Sequence, residues 1–304
     1  MERSKRKKHE QIRDGEKEFL LESHRHETEK MVHIKTRRKE LKIAYTNVNG
    51  LLSGLIELND FLRVSQPDIM GITETKLSDD LESIDLGEKR YNVWMRTRNT
   101  KKGGGVLLLI KKELKVDNVI YGEGRAEVLK VGVRRRGGSR RDFAVVYVPP
   151  KTNSWRRDEY EQMTKDTTMC LKRLVSESEN VTIMGDFNCK EISWENWSTE
   201  GSELSWGNKL LQLAMDNILT QWVQEPTRFQ GNAEPARLDL VFTKEPEIVE
   251  SMNYQSPLGK SDHVLIEFKL GADDTEEGKD HKEGTLNFSK ANFVELRKLF
   301  GEVN

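Results

Sequence analysis

Six short apolar runs in this sequence carry chemically capable polar residues at one end. Four runs finish on them: Ile43–Asn49 on Asn47 and Asn49, Ile69–Glu74 on Glu74, Val145–Tyr147 on Tyr147, and Ile183–Asn188 on Asp186 and Asn188. Two runs begin on them: Asp239 opens Asp239–Phe242, and Asp262-His263 opens the run Val264–Ile266. If the last two strands run antiparallel to the first four, all six polar ends meet on one rim. Four carboxylates gathered there would repel and shift one another's pKa values. A divalent cation held by oxygen ligands relieves that repulsion. Magnesium is the usual ion where one or two carboxylates share it with a substrate phosphate. Apart from Cys189 the donors are hard, which favours Mg²⁺ or Mn²⁺ over Zn²⁺.

Positioning such a rim takes strands, and strand-type runs recur from Leu41 onward. They are Leu41–Val48, Asp68–Thr73, Tyr91–Met95, Gly105–Ile110, Ala126–Val133, Phe143–Val148, Val181–Met184, Leu238–Phe242 and Val264–Leu270. Helical patterns fall near 54–65, 156–176 and 203–219. Gly137-Gly138 marks a hairpin turn between two runs that follow directly. Mixed hairpins and helices predict layered α/β architecture rather than a purely parallel sheet. Residues 1–40 form a charged N-terminal arm, helical or disordered, with basic clusters Lys5-Arg6-Lys7-Lys8 and Arg37-Arg38-Lys39. Residues 41–271 hold the domain that carries these runs, 272–285 an acidic linker, and 286–304 a short C-terminal helix with a Phe293, Leu296, Phe300, Val303 stripe.

Composition excludes several classes. The 304 residues carry 50 Lys+Arg against 51 Asp+Glu, so no strong overall charge advertises a nucleic-acid partner. No run reaches the ~18 apolar residues of a membrane span, and the basic start lacks the apolar stretch of a secretory signal. Cys170 and Cys189 make neither a disulfide framework nor a zinc pattern. An intracellular chain is expected. Gly259-Lys260-Ser261 lacks the first glycine of a phosphate loop, and Gly122-x-Gly124 lacks the third of a dinucleotide fingerprint. Ser261-Asp262-His263 cannot align as a triad, because neighbours on a strand face opposite ways.

The motifs Asn47-x-Asn49, Glu74, Tyr147-x-Pro149, Gly185-Asp186-x-Asn188, Leu238-Asp239 and Ser261-Asp262-His263 stand in an order that resembles the endonuclease/exonuclease/phosphatase superfamily. Each motif alone is an ordinary turn, cap or core residue; six in order are specific. The wider text, with Glu225-Pro226-Thr227-Arg228, is most similar to the apurinic-type endonuclease of a non-LTR retrotransposon. The resemblance implies a four-layer α/β sandwich, two mixed and mostly antiparallel sheets flanked by helices. It implies Mg²⁺ (or Mn²⁺) at Glu74, with Asn49 and Asp262 near it. Asp186 would orient and deprotonate the attacking water, with Asn188 holding that water. His263, kept charged by Asp239, would donate to the phosphate, while Tyr147 and Asn47 hydrogen-bond it. Thr227 would touch the substrate backbone. Arg96, Arg98, Lys101 and Lys102 would contact DNA phosphates. DNA is the expected partner, in the nucleus, with a reverse transcriptase module following in a longer polyprotein.

Departures narrow the resemblance. Asn49 stands where AP endonucleases carry Asp, and Ala236-Arg237 stands where they carry a Trp of the abasic pocket. Ala236-Arg237-Leu238-Asp239 also lacks the aromatic-Cys-Asp-Arg run of the phosphatase branch. A general AP-type repair nuclease and a decayed, binding-only copy are the alternative readings. The basic hairpin tip at Arg134-Arg135-Arg136 and Arg140-Arg141 should point away from the rim, about 16 Å from Tyr147 along its strand.

Overall fold

The computed structural model describes residues 40–77, 86, 89–98, 103–134 and 139–271. The N-terminal arm up to residue 39, Lys101, Lys102, the Gly137-Gly138 turn, the acidic linker and the C-terminal stripe lie outside them. The chain divides into units Met1–Asp273 and Asp274–Asn304, and every described residue belongs to the first.

One sheet is built from β1 (Leu41–Asn47), β2 (Ile69–Thr73), β3 (Tyr91–Arg96), β4 (Val106–Lys111), β13 (Val249–Gln255) and β14 (Leu265–Leu270), in the order β13-β14-β1-β2-β4-β3. The other is built from β5 (Lys115–Tyr121), β6 (Glu127–Arg134), β7 (Arg140–Tyr147), β8 (Val181–Asp186), β11 (Thr220–Gln221) and β12 (Asp239–Thr243), in the order β11-β12-β8-β7-β6-β5. A small hairpin pairs β9 (Ile192–Ser193) with β10 (Ser198–Thr199). Both large sheets are mixed, with one parallel pair each, β1 with β2 and β7 with β8. All their other pairings are antiparallel.

Alternating side chains make the layers. Ile43 and Tyr45 of β1, Val106, Leu108 and Ile110 of β4, and Phe143, Val145 and Tyr147 of β7 point into a shared core between the sheets. Ala44, Leu107 and Leu109 point the other way, onto α1 (Leu55–Val64). Leu58 and Leu62 of α1, one turn apart, bury against that face. Ala144 and Val146 point outward onto α2 (Arg157–Glu177) and α3 (Trp206–Asp216). The Ser205 side chain caps α3 by accepting from the Asn208 N–H at 3.3 Å. Trp206 at its first turn donates from Nε1 to the Phe187 carbonyl at 2.8 Å, tying the helix to the end of β8. The result is the four-layer α/β sandwich that the resemblance implies: helix, sheet, sheet, helices.

The nine apolar runs coincide with β1, β2, β3, β4, β6, β7, β8, β12 and β14, and the three helical patterns with α1, α2 and α3. Strands β5 and β13 lay in no apolar run. Both are sheet edges with mixed burial, β5 carries Asp117-Asn118, and each contains a register shift. Edge strands need no continuous apolar run, because one side and one face meet water. Among the described residues no helix is long and apolar enough to cross a membrane.

Candidate active site

Strand direction satisfies the condition set by the sequence. β12 runs antiparallel to β8 and β14 antiparallel to β1, so their starts lie beside the ends of β1, β2, β7 and β8. Asn47 pairs with Thr73, Tyr147 with Asp186, and Asp239 with Asp186 in register. The rim is then sewn together from sheet to sheet. Asn47 Nδ2 donates to Asp186 Oδ2 at 2.9 Å and reaches Glu74 Oε1 at 3.3 Å. The Tyr147 hydroxyl donates to Glu74 Oε1 at 2.7 Å. The Tyr45 hydroxyl donates to Asp239 Oδ1 at 2.8 Å and shares a 2.8 Å hydrogen bond with Thr73.

His263 Nδ1 lies 2.7 Å from Asp239 Oδ2, and Asp239 is fully buried. Burial alone would lower the His263 pKa. The charge and hydrogen bond of Asp239, helped by Asp186 and Asp262, overcome this and raise it to about 9. The imidazolium is therefore the stable form at neutral pH, with Nε2 3.8 Å from Asp262 Oδ1. Asp186 is also buried, and its pKa is pushed up to about 8 by burial and by the charges of Asp239 and Glu74. Its Oδ1 accepts the Asn188 N–H at 3.0 Å. The Asn188 side chain donates to the Val148 carbonyl at 3.0 Å. Burial, Glu74 and Asp186 raise the Tyr147 pKa, so its hydroxyl stays a donor.

Asp186, Asp239 and His263 each bring one ligand atom within 4.8 Å of the others. Their atoms are largely committed: Asp239 accepts from Tyr45 and His263 on separate oxygens, and Asp186 from Asn47 and Asn188. The Glu74 side offers a better cation site. Glu74 Oε2 faces the Lys76 ammonium at 3.4 Å, and the same ammonium contacts Asn49 Oδ1. A carboxylate and an amide oxygen thus converge on a point that takes positive charge. This hard donor set fits Mg²⁺ or Mn²⁺. Both residues sit in left-handed backbone, Glu74 at φ +50 and Asn49 at φ +47. The Asn49 N–H is anchored on Asn47 Oδ1 at 2.9 Å, and the Gly50 N–H on the Glu74 carbonyl at 2.8 Å. Asp262 Oδ2 accepts from Arg228 Nε at 2.8 Å, so its described polar partners are Arg228 and His263.

Three of the residues expected at the substrate have partners within the chain itself. Thr227 is fully buried, and its hydroxyl accepts the N–H groups of Leu238 at 3.1 Å and Asp239 at 3.0 Å. It aligns the start of β12. Arg96 donates to the Gly122 carbonyl and, at 2.9 Å, to the Gly124 carbonyl. Arg98 Nε donates to Glu127 at 2.6 Å, and only 13% of the Arg98 side chain is exposed. Both guanidiniums are committed to the chain's own oxygens, Arg96 to carbonyls just ahead of β6 and Arg98 to the first residue of β6. The sequence reading gave no role to Tyr45, Lys76, Arg228 or Ser261, although the last two stand in its motifs. Ser261 donates to the Asn47 carbonyl at 2.5 Å and accepts the His263 N–H at 3.1 Å. Tyr45 had a signal available: two residues before Asn47 on a strand, it must face the same way.

Residues 142–267 match the family model described as endonuclease–reverse transcriptase. Comparison with curated proteins gives no match. Among solved structures, the chain is similar to AP endonuclease LMAP from Leishmania major at TM-score 0.62 and 17% identity, covering 77% of this chain and 88% of that one. It is similar to the 3'-5' exonuclease NExo from Neisseria meningitidis at TM-score 0.59 and 18% identity, covering 76% of this chain and 100% of that one. It is also similar to the endonuclease domain of TRAS1, a telomere-specific non-LTR retrotransposon, at TM-score 0.54 and 16% identity, covering 76% of this chain and 98% of that one. The resemblance to the endonuclease/exonuclease/phosphatase superfamily is thereby borne out, in the fold of the described sandwich and in the match over residues 142–267.

Proposed function

We propose that the chain is a divalent-metal-dependent DNA endonuclease of retrotransposon type, which hydrolyses one phosphodiester bond to leave a 3′-hydroxyl for reverse transcription. One observation carries the reading: the charged pair Asp239–His263 and the carboxylates Asp186 and Glu74 share a single rim, joined across two sheets by Asn47 and Tyr45. Glu74, with Asn49 and Asp262 nearby, would hold Mg²⁺ or Mn²⁺, which polarises the scissile phosphate and stabilises the leaving oxygen. His263 donates from Nε2 to a non-bridging phosphate oxygen, and Asp239 keeps it charged and oriented. Asp186 takes the proton of the attacking water, and Asn188 helps hold that water in line. Asn47 fixes the Asp186 carboxylate against Glu74. Tyr147 keeps a neutral hydroxyl on Glu74 and the phosphate side of the site.

DNA phosphates are the class of substrate. The reverse transcriptase that extends the new 3′-end would follow in the same longer polyprotein, with residues 272–285 as linker and 286–304 as the start of the connector. Such a reaction belongs in the nucleus.

Supercoiled plasmid incubated with the purified chain should convert to open circles with Mg²⁺ and not with EDTA. Glu74→Ala and His263→Ala should each remove the activity, by about 10²-fold or more. Folded wild-type protein that nicks neither plain nor abasic plasmid would sink the enzyme reading.

A further inference from the structure

Glu127 and Arg98 belong to none of the rim motifs, yet they reach Glu74 by two routes. Glu127 opens β6 directly opposite Tyr147. Its carboxylate accepts the Gly105 N–H at 2.6 Å on one oxygen and Arg98 Nε at 2.6 Å on the other. The first route runs through backbone. The Gly105 and Gly104 carbonyls accept the N–H groups of Thr75 at 3.3 Å and Lys76 at 2.8 Å, the two residues that follow Glu74. The second runs through side chains. The Arg98 guanidinium lies 5.6 Å from the centre of the Tyr147 ring, and the Tyr147 hydroxyl holds Glu74 Oε1. Glu74, Tyr147, Arg98, Glu127, Gly105 and Thr75 therefore close a circuit.

The circuit has work to do and no slack. Glu74 at φ +50 adopts a conformation that a residue with a Cβ holds only when its surroundings enforce it. Added methyl groups at Gly104 and Gly105 would come within 2.4 Å of Glu127 Oε2 and Thr75 Oγ1 respectively. The Arg98–Glu127 pair is nearly removed from water, with 13% and 6% of the side chains exposed. Burying such a pair costs desolvation that its attraction barely offsets, so stability alone is a poor reason for it.

We infer that Glu127 and Arg98 are positioning residues, which clamp the glycine loop and Tyr147 so that the Glu74 carboxylate is held toward a divalent cation. The inference rests on the proposed reading of Glu74 as a metal ligand.

The test is Mn²⁺ binding by the full chain without DNA, read from the electron-spin signal of the free ion. Wild type, Glu74→Ala, Glu127→Ala and Glu127→Gln are compared, each checked for cooperative thermal unfolding. Glu127→Ala should weaken Mn²⁺ binding by about 10- to 100-fold, the range for lost outer-sphere partners. Glu127→Gln should weaken it less, because its amide oxygen still accepts from the Gly105 N–H. At saturating Mn²⁺, Glu127→Gln should recover most of its plasmid nicking, which a general packing defect would not allow. Should Glu127→Ala fail to fold, Glu127→Gln decides the matter with a shift of about three-fold or more. Folded Glu127 variants that bind Mn²⁺ as tightly as wild type, beside a Glu74→Ala that has lost it, overturn the inference alone. Unchanged binding by Glu74→Ala overturns both the inference and the metal reading beneath it.

Discussion

At the scale of residues, the site is a set of charges whose protonation is set by neighbours. His263 is held charged up to about pH 9 by Asp239, and Asp186 is held protonated up to about pH 8 by burial and by Asp239 and Glu74. The proposed mechanism needs Asp186 ionised and His263 protonated. The rate of plasmid nicking should therefore rise as Asp186 ionises, on a limb below about pH 8 with a cation bound, and fall as pH passes through about 9. A bound cation beside Glu74 would move the rising limb to lower pH, since positive charge favours the carboxylate. A pH–rate profile that is flat from about pH 6 to 10 contradicts these roles. Tyr45 contributes a second donor to Asp239. Tyr45→Phe should cost about 1–3 kcal/mol in stability, by denaturant unfolding, because a buried carboxylate oxygen loses its partner. It should also slow nicking by loosening the base of the His263 pair.

At the scale of elements, the residues proposed as catalytic stand where strands end, and the segments between strands keep those ends aligned. The segment before β12 shows how. Thr227 accepts two backbone N–H groups, and its carbonyl accepts the Val264 N–H at 2.9 Å, so one residue links the starts of β12 and β14. Thr227→Val would leave two buried donors unpaired, at roughly 1–3 kcal/mol each. Thr227→Ser should keep nearly all the stability. Urea unfolding of the two variants separates a positioning role from a substrate contact, because a contact would change DNA affinity with little change in stability. Arg96 at the end of β3 and Arg98 just after it teach the same lesson. Arg96 and Arg98 look like phosphate contacts in the sequence, but their partners, Gly122, Gly124 and Glu127, lie 26 or more residues further along the chain. No local pattern announces such a pairing.

At the scale of the whole molecule, charge is balanced. Residues 41–270 carry 32 basic and 34 acidic residues, and Arg98 and Arg228 are paired with the chain's own Glu127 and Asp262. DNA binding should therefore rest on few phosphate contacts. The slope of log affinity against log salt should be shallow, of magnitude about 4 or less at ~0.9 per phosphate. A slope near 8 would mean that basic residues outside the described part, such as Lys101, Lys102 and the N-terminal clusters, carry the binding.

By itself the sequence determined the strands of the two sheets that are apolar, the three helices, and the residue types at the strand ends. Those follow from local periodicity, which is written in consecutive residues. The order of the motifs was enough to place Asn47, Glu74, Tyr147, Asp186, Asp239 and His263 on one rim, provided the last strands reversed direction. Only the tertiary structure decided the rest. Strands β5 and β13 exist because neighbouring strands offer them hydrogen bonds, and their own residues do not demand it. Thr227, Arg96 and Arg98 turned inward because acceptors and donors from distant segments met them there. Lys76, beside Glu74 in the sequence, meets Asn49 from 27 residues away for the same reason. A side chain's type limits which partners it can take, but which partner it meets depends on the packing of segments far apart in the chain.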